Sequence, residues 1–135
     1  MSESASTKTL TTIWPALIYR DADAAISFLE NVFGFECTAR HGSREVVDHA
    51  ELRWPTGGGI MLGSVREDSA LSGQPAGVGA IYIVTAEPDA IYARAVAAGA
   101  TVIRELRDET DYESRGFTCR DPEGVYWSFG TFAGE

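Results

Sequence analysis

His49 and Glu51 are the residues of this chain whose types and spacing best suit chemistry. They stand two apart in a run where Val47, Ala50 and Leu52 are set against Asp48, His49, Glu51 and Arg53. On a strand, residues two apart share a face at about 6.5–7 Å. Imidazole titrates near neutrality, so the pair can serve as a general base with its carboxylate, or hydrogen-bond the polar groups of a bound compound. The plain alternative is a partly solvated His–Glu pair on a sheet face. As metal ligands the two alone would leave the coordination shell half empty.

The elements that must position this pair are written twice. Asp23-Ala24-Ala25-Ile26 with Gly34 recurs as Asp89-Ala90-Ile91 with Gly99, about 65 residues on. Arg53-Trp54-Pro55, Gly57/Gly58 and Leu62-Gly63 recur as Arg120-Asp121-Pro122, Gly124 and Phe129-Gly130, about 67 on. Two copies of this length are a duplicated unit rather than a solenoid. Ile13–Tyr19 reads as a strand, and Asp21 or Asp23 caps a helix running to about Phe33, stopped by Gly34. Strands at 35–40, 45–54 and 59–65 follow. The polar stretch 66–77 joins the halves. The pattern then restarts: strand 80–85, helix 88–98 opened by Pro88, and strands 101–106, 116–120 and 125–132. The order β-α-β-β-β, repeated, predicts an α+β domain of eight mainly antiparallel strands and two helices, its two sheets enclosing a cleft with the helices outside. Module one covers about 12–65 and module two about 78–132, within a single domain 10–135. Residues 1–9, polar and rich in Ser and Thr, are expected to be a disordered tail.

Composition narrows the partners. The chain has 135 residues, 44% hydrophobic and 23% charged, with a formal net charge of -9. That balance argues against nucleic acid or an anionic membrane, which require a basic footprint. It favours, weakly, a cationic or neutral ligand. Cys37 and Cys119 show no metal-knuckle or redox spacing, and no apolar run resembles a signal or a span, so a cytoplasmic chain is expected.

Two segments carry a family resemblance: Tyr19-Arg20-Asp21-Ala22-Asp23-Ala24-Ala25-Ile26-Ser27-Phe28-Leu29-Glu30-Asn31-Val32-Phe33-Gly34-Phe35, and Arg115-Gly116-Phe117-Thr118-Cys119-Arg120-Asp121-Pro122-Glu123-Gly124-Val125-Tyr126-Trp127-Ser128-Phe129-Gly130. With the paired βαβββ modules, they make the chain resemble the vicinal oxygen chelate superfamily, the glyoxalase / bleomycin-resistance / extradiol dioxygenase group. The metal enzymes of that group place ligands in the first and last strands of each module. Carried over by motif, those positions fall on Trp14, Met61, Ala80 and Ser128, none of which suits a site built from His and carboxylates. The resemblance therefore implies the metal-free, drug-binding branch: bleomycin-resistance-type proteins that capture a small molecule without a cofactor, usually as homodimers with two crevices at the subunit interface. The competing reading is a glyoxalase-like lyase or isomerase that uses His49 and Glu51, or a divalent metal held elsewhere. A vestigial cleft is a third.

Strand alternation, with those four positions fixed inward, gives the remaining cleft residues. Ala16, Tyr82, Gly63 and Tyr126 join them, and the repeat pairs Glu51 with Thr118. Trp14 and Tyr82 would stack on a planar ligand, with Met61 as adaptable filler. Tyr112 and Arg115, in the loop entering the seventh strand, would overhang the mouth, with Arg115 either meeting an anionic group or forming a salt bridge. Trp54 is expected at a rim, Trp127 in the core, and Asp121-Pro122-Glu123-Gly124 as turn chemistry alone. The expected ligand-binding set is Trp14, His49, Glu51, Met61, Tyr82, Tyr112, Arg115, Thr118, Tyr126 and Ser128, with no metal ligand.

Overall fold

A computed structural model describes residues 10–134, so the expected tail over 1–9 lies outside the described residues. Each half folds as strand, helix and three strands. The first comprises β1 (Ala16–Tyr19), α1 (Ala22–Phe28), β2 (Glu36–Gly42), β3 (Val47–Arg53) and β4 (Gly59–Ser64). The second comprises β5 (Ala80–Val84), α2 (Pro88–Ala97), β6 (Thr101–Asp108), β7 (Arg115–Arg120) and β8 (Tyr126–Gly130). The strand orders are β1-β4-β3-β2 and β5-β8-β7-β6. In each sheet the outer first strand runs parallel to the last, and the other pairings are antiparallel, giving the expected α+β architecture.

Two local features depart from the sequence-based expectation. The first strand begins at Ala16 rather than Ile13; ahead of it, in irregular backbone, Trp14 Nε1 donates to Thr11 O (3.1 Å). The helix expected to reach Phe33 is α-helical only to Phe28. It ends in a wider π turn, Leu29–Phe33, where the amides of Gly34 and Phe35 both donate to Leu29 O. Gly34 closes the turn at φ 104°, open to glycine at no steric cost. Asp21 caps α1 through Ala24 N (3.0 Å).

The turn carries module one onto module two. Phe33 packs against Trp127 and Phe129, with ring centroids 5.4 and 4.7 Å apart, while Arg94 of α2 donates to Val32 O (2.7 Å). The helix-facing side chains of both sheets therefore fall in one apolar core, which includes Leu17, Leu52, Leu62, Phe117, Trp127 and Phe129. Trp54 reaches across from the turn after β3 to Phe129 (6.2 Å).

One buried carboxylate completes the seam. Asp121 is 5% exposed. Its Oδ2 accepts from Tyr19 OH (2.5 Å) and Trp127 Nε1 (2.9 Å), and its Oδ1 accepts the amides of Glu123, Gly124 and Val125. Glu123, in the same turn, accepts Arg20 N and Asp21 N at 2.7 Å each. Burial, reinforced by the Asp121 charge, pushes the Tyr19 phenol well above the ordinary tyrosine range, and burial pushes the Cys119 thiol up to about 12.

Both groups are held protonated by the fold, so the stability they confer is full at neutral pH. It falls as pH rises past the unfolded-state values, about 8.5 for Cys and about 10 for Tyr. Urea midpoints are expected to decline above about pH 9, less steeply in Cys119→Ala than in wild type. Asp121→Ala orphans four donors (Tyr19 OH, Trp127 Nε1 and the amides of Glu123 and Val125; Gly124 N keeps the Asp121 carbonyl) and is expected to cost about 3–5 kcal/mol at neutral pH in the same assay. A loss under about 1 kcal/mol would show that the seam does not depend on it.

Candidate functional site

Each sheet keeps one face free of the shared core. On the first sheet, Ala16, Met61 and Glu51 form one cross-strand row, and Gly63 lies beside Met61 on the same face. On the second, Tyr82, Ser128 and Thr118 form the matching row, followed by Val84, Gly130 and Gly116. The repeat equivalences Met61/Ser128 and Glu51/Thr118 thus hold in the register. Met61 lies opposite Ala16, and Ser128 opposite Tyr82, both of which strand alternation puts on the same face.

His49 and Glu51 meet on the first face. His49 Nε2 lies 2.9 Å from Glu51 Oε2, and His41 stacks beside His49 with ring centroids 6.3 Å apart. An extra residue, Asp48, sits between the pairs Gly42–Val47 and His41–His49, a bulge that keeps both Val47 and Ala50 in the core. Trp14 lies outside the strand but over this face. Arg53 is stacked on it, 4.8 Å from the ring centroid, and a Cβ added at Gly59 would come within 2.9 Å of the ring.

On the second face Tyr82 is 49% exposed and donates from its hydroxyl to Phe132 O (2.7 Å). Its ring lies against Gly130, where an added Cβ would come within 2.7 Å of the Tyr82 oxygen. Burial raises the Tyr82 phenol above its ordinary value, with Tyr112 adding to the rise. Tyr112 packs edge-on to Phe132 (5.1 Å), and the Thr118 and Ser128 hydroxyl oxygens are 2.8 Å apart. Tyr126 is exposed, with the Arg120 guanidinium 5.2 Å from its ring centroid.

Arg115 stands apart from both faces' pockets. Its guanidinium forks onto Asp89 at the start of α2 (2.9 Å to each oxygen) and reaches Asp108 (3.4 Å). These partners raise the Arg115 guanidinium and lower the Asp89 carboxyl, so the salt-bridge alternative describes it. Trp54, expected at a rim, instead packs partly buried at the seam against Phe35 and Phe129, and Trp127 is fully buried, as expected for a core residue.

The two faces line separate hollows. One of about 200 Å³ includes His49, Met61 and Gly63, and one of about 210 Å³ includes Tyr82, Tyr112, Thr118 and Ser128. Broader grooves of about 580 and 550 Å³ flank Trp54 at the seam. Their walls are largely apolar and bring few polar groups to a common point. The open faces, with converging hydroxyl, imidazole and carboxylate groups, have the makings of a binding site. The sequence reading missed Arg66, which lines the first hollow from the stretch read only as a joining segment, and Phe132, which anchors Tyr82 and Tyr112.

In the row Ala16/Met61/Glu51 the one metal-type donor is the Glu51 carboxylate, partnered by His49 on the same face, and the row Tyr82/Ser128/Thr118 offers only hydroxyls. Among the described residues, no group of three or more His, Cys, Asp or Glu side chains is placed to hold a metal ion. No helix of the described residues is long and apolar enough to cross a membrane.

Gly130→Ala is expected to dislodge the Tyr82 ring and return its phenol toward about 10, read as tyrosinate absorbance against pH with Tyr82→Phe as the assignment control. An unchanged titration would place the ring elsewhere.

Known proteins fix the lineage. The chain is similar to the solved structure of TioX from Micromonospora sp. ML1, 26% identical over 90% of this chain and 98% of that one, with a TM-score of 0.76. It shares its fold with an integron cassette protein from V. cholerae, 18% identical over 93% and 99% of the two chains, TM-score 0.65. It also shares it with a glyoxalase I variant from Zea mays, 13% identical over 92% of this chain and 45% of that one, TM-score 0.70. No curated protein matches. The model of the Glyoxalase/Bleomycin resistance protein/Dioxygenase superfamily matches residues 12–129, and the chain belongs to that superfamily.

Proposed function

We propose that this protein binds a small molecule without a metal, in the manner of bleomycin-resistance proteins, and that it does so as a homodimer. The observation that carries the reading is the pair of open faces, each furnished for contact with a compound and neither with a metal's donor set. Aromatic rings, Trp14 and Tyr82, are seated on glycines where they can cover a planar ligand. Met61 supplies adaptable apolar contact, and the Thr118–Ser128 and His49–Glu51 pairs supply hydrogen bonds.

Packing supports the dimer reading. The buried faces of both sheets share one core, and each open face lines its own hollow, so a cleft walled by both needs the second face from another chain. The outermost strand β5 leaves Ala80, Tyr82 and Val84 exposed, an apolar edge suited to burial against a partner. The enzyme reading draws on His49 and Glu51, whose side chains are partnered to one another, or on a divalent metal held elsewhere.

Native mass spectrometry of protein purified without chelator tests the proposal, using the denatured mass as reference. The expected result is a dimer that carries no metal, with or without a copurified organic adduct. One divalent ion per chain, released by chelator with loss of a turnover that His49→Ala also abolishes, would return the enzyme reading to first place.

A further inference from the structure

Among the described residues, Arg66 carries the one buried side-chain nitrogen or oxygen without a hydrogen-bond partner. It lines the hollow of about 200 Å³ together with Ala16, Ile18, His49, Met61 and Gly63. Its Nε is buried and has no hydrogen-bond partner among the described residues. Its other contacts are long: Nη1 lies 3.5 Å from Asp48 Oδ1 and 3.6 Å from Asp68 Oδ1, and Nη2 lies 3.4 Å from Asp48 O. Both carboxylates are largely exposed, so these pairs hold the guanidinium only weakly. A buried N–H of a charged group left without an acceptor is costly, and the cost is relieved when a ligand supplies one.

The hollow has room for that ligand group. Its floor is Gly63, where an added Cβ would press on the backbone of β3, with the Asp48 and Val47 carbonyl oxygens at 3.3 and 3.4 Å. The charge around Arg66 limits which acceptor is welcome. Asp48 and Asp68 flank the guanidinium, the His49–Glu51 pair lies on the same face, and the whole chain carries -9. A further carboxylate brought there by a ligand would be repelled.

We infer that Arg66 and the glycine-floored hollow of the first module form a subsite for an uncharged carbonyl oxygen, such as that of an aromatic amide. This deepens the proposed binding function and rests on it. The amide oxygen accepts from the guanidinium, which turns from its aspartates to meet it. His49 and Met61 bound the rest of the group.

The test follows the ¹H–¹⁵N resonance of the Arg66 side chain, assigned by its loss in Arg66→Lys, while 2-naphthamide is titrated into the wild-type protein. The Nε–H signal is expected to move downfield. Arg66→Lys is expected to bind the amide about tenfold more weakly, the scale of one charge-assisted hydrogen bond. Gly63→Ala, which keeps Arg66 and fills the floor, is expected to weaken it as well. 2-Naphthoate is expected to bind more weakly than the amide, and equal or tighter binding overturns the uncharged acceptor. If the amide shifts backbone signals of Met61 and Tyr82 but leaves Arg66 unmoved, the subsite is wrong while open-face binding stands. If no open-face signal moves, both fail.

Discussion

The structure depends on a carboxylate buried where two modules meet. Asp121 brings together a phenol from β1, an indole from β8 and three consecutive backbone amides of its own turn. Four of the five donors would be unsatisfied without it, since only Gly124 N has a second acceptor, and the buried charge would be costly without them. The interaction thus works as a unit and fixes the end of β1 against the turn into β8. The residue at the equivalent point of the repeat is Trp54, which reaches the other way, from module one to Phe129 of module two. The same turn position stitches the seam twice, once by charge and once by an aromatic ring.

That seam decides what the rest of the chain can present. With the helix-facing sides of both sheets committed to one core, the opposite faces are the ones left open for the proposed ligand. There the chain places small residues under large ones. Gly59 and Gly130 leave space for Trp14 and Tyr82, and Gly63 leaves a hollow beside Met61. A scaffold that hosts many activities on one fold carries its function in these exposed positions rather than in the frame.

The frame was legible because it is periodic and repeated. Alternation on β3 placed Glu51 across from Met61's strand, and the duplication matched it to Thr118 beside Ser128, as the register shows. What escaped the sequence depends on tertiary partners. The π turn at Leu29–Phe33 follows from docking Phe33 on Trp127 and Phe129, which local propensity does not encode. Trp14 continues the apolar run but lies in irregular backbone ahead of the strand, its indole bonded to Thr11. Arg115 lies next to the second face in sequence, yet its nearest opposite charge is Asp89, 26 positions away on another element. Arg66 carried no pattern at all, because an unpaired guanidinium nitrogen exists only once the chain has folded around it.

The central claim is that one ligand cleft takes its two walls from two chains. Chemical cross-linking tests it without a ligand: cysteines placed by Met61→Cys and Ser128→Cys, in a Cys37→Ser background, treated with a short bismaleimide. The buried thiol of Cys119 is expected to stay unreactive. The account predicts a covalent dimer on a denaturing gel, formed only when both new cysteines are present. A chain that remains monomeric, with a single linker joining its own two cysteines, would contradict it and place both walls within one molecule.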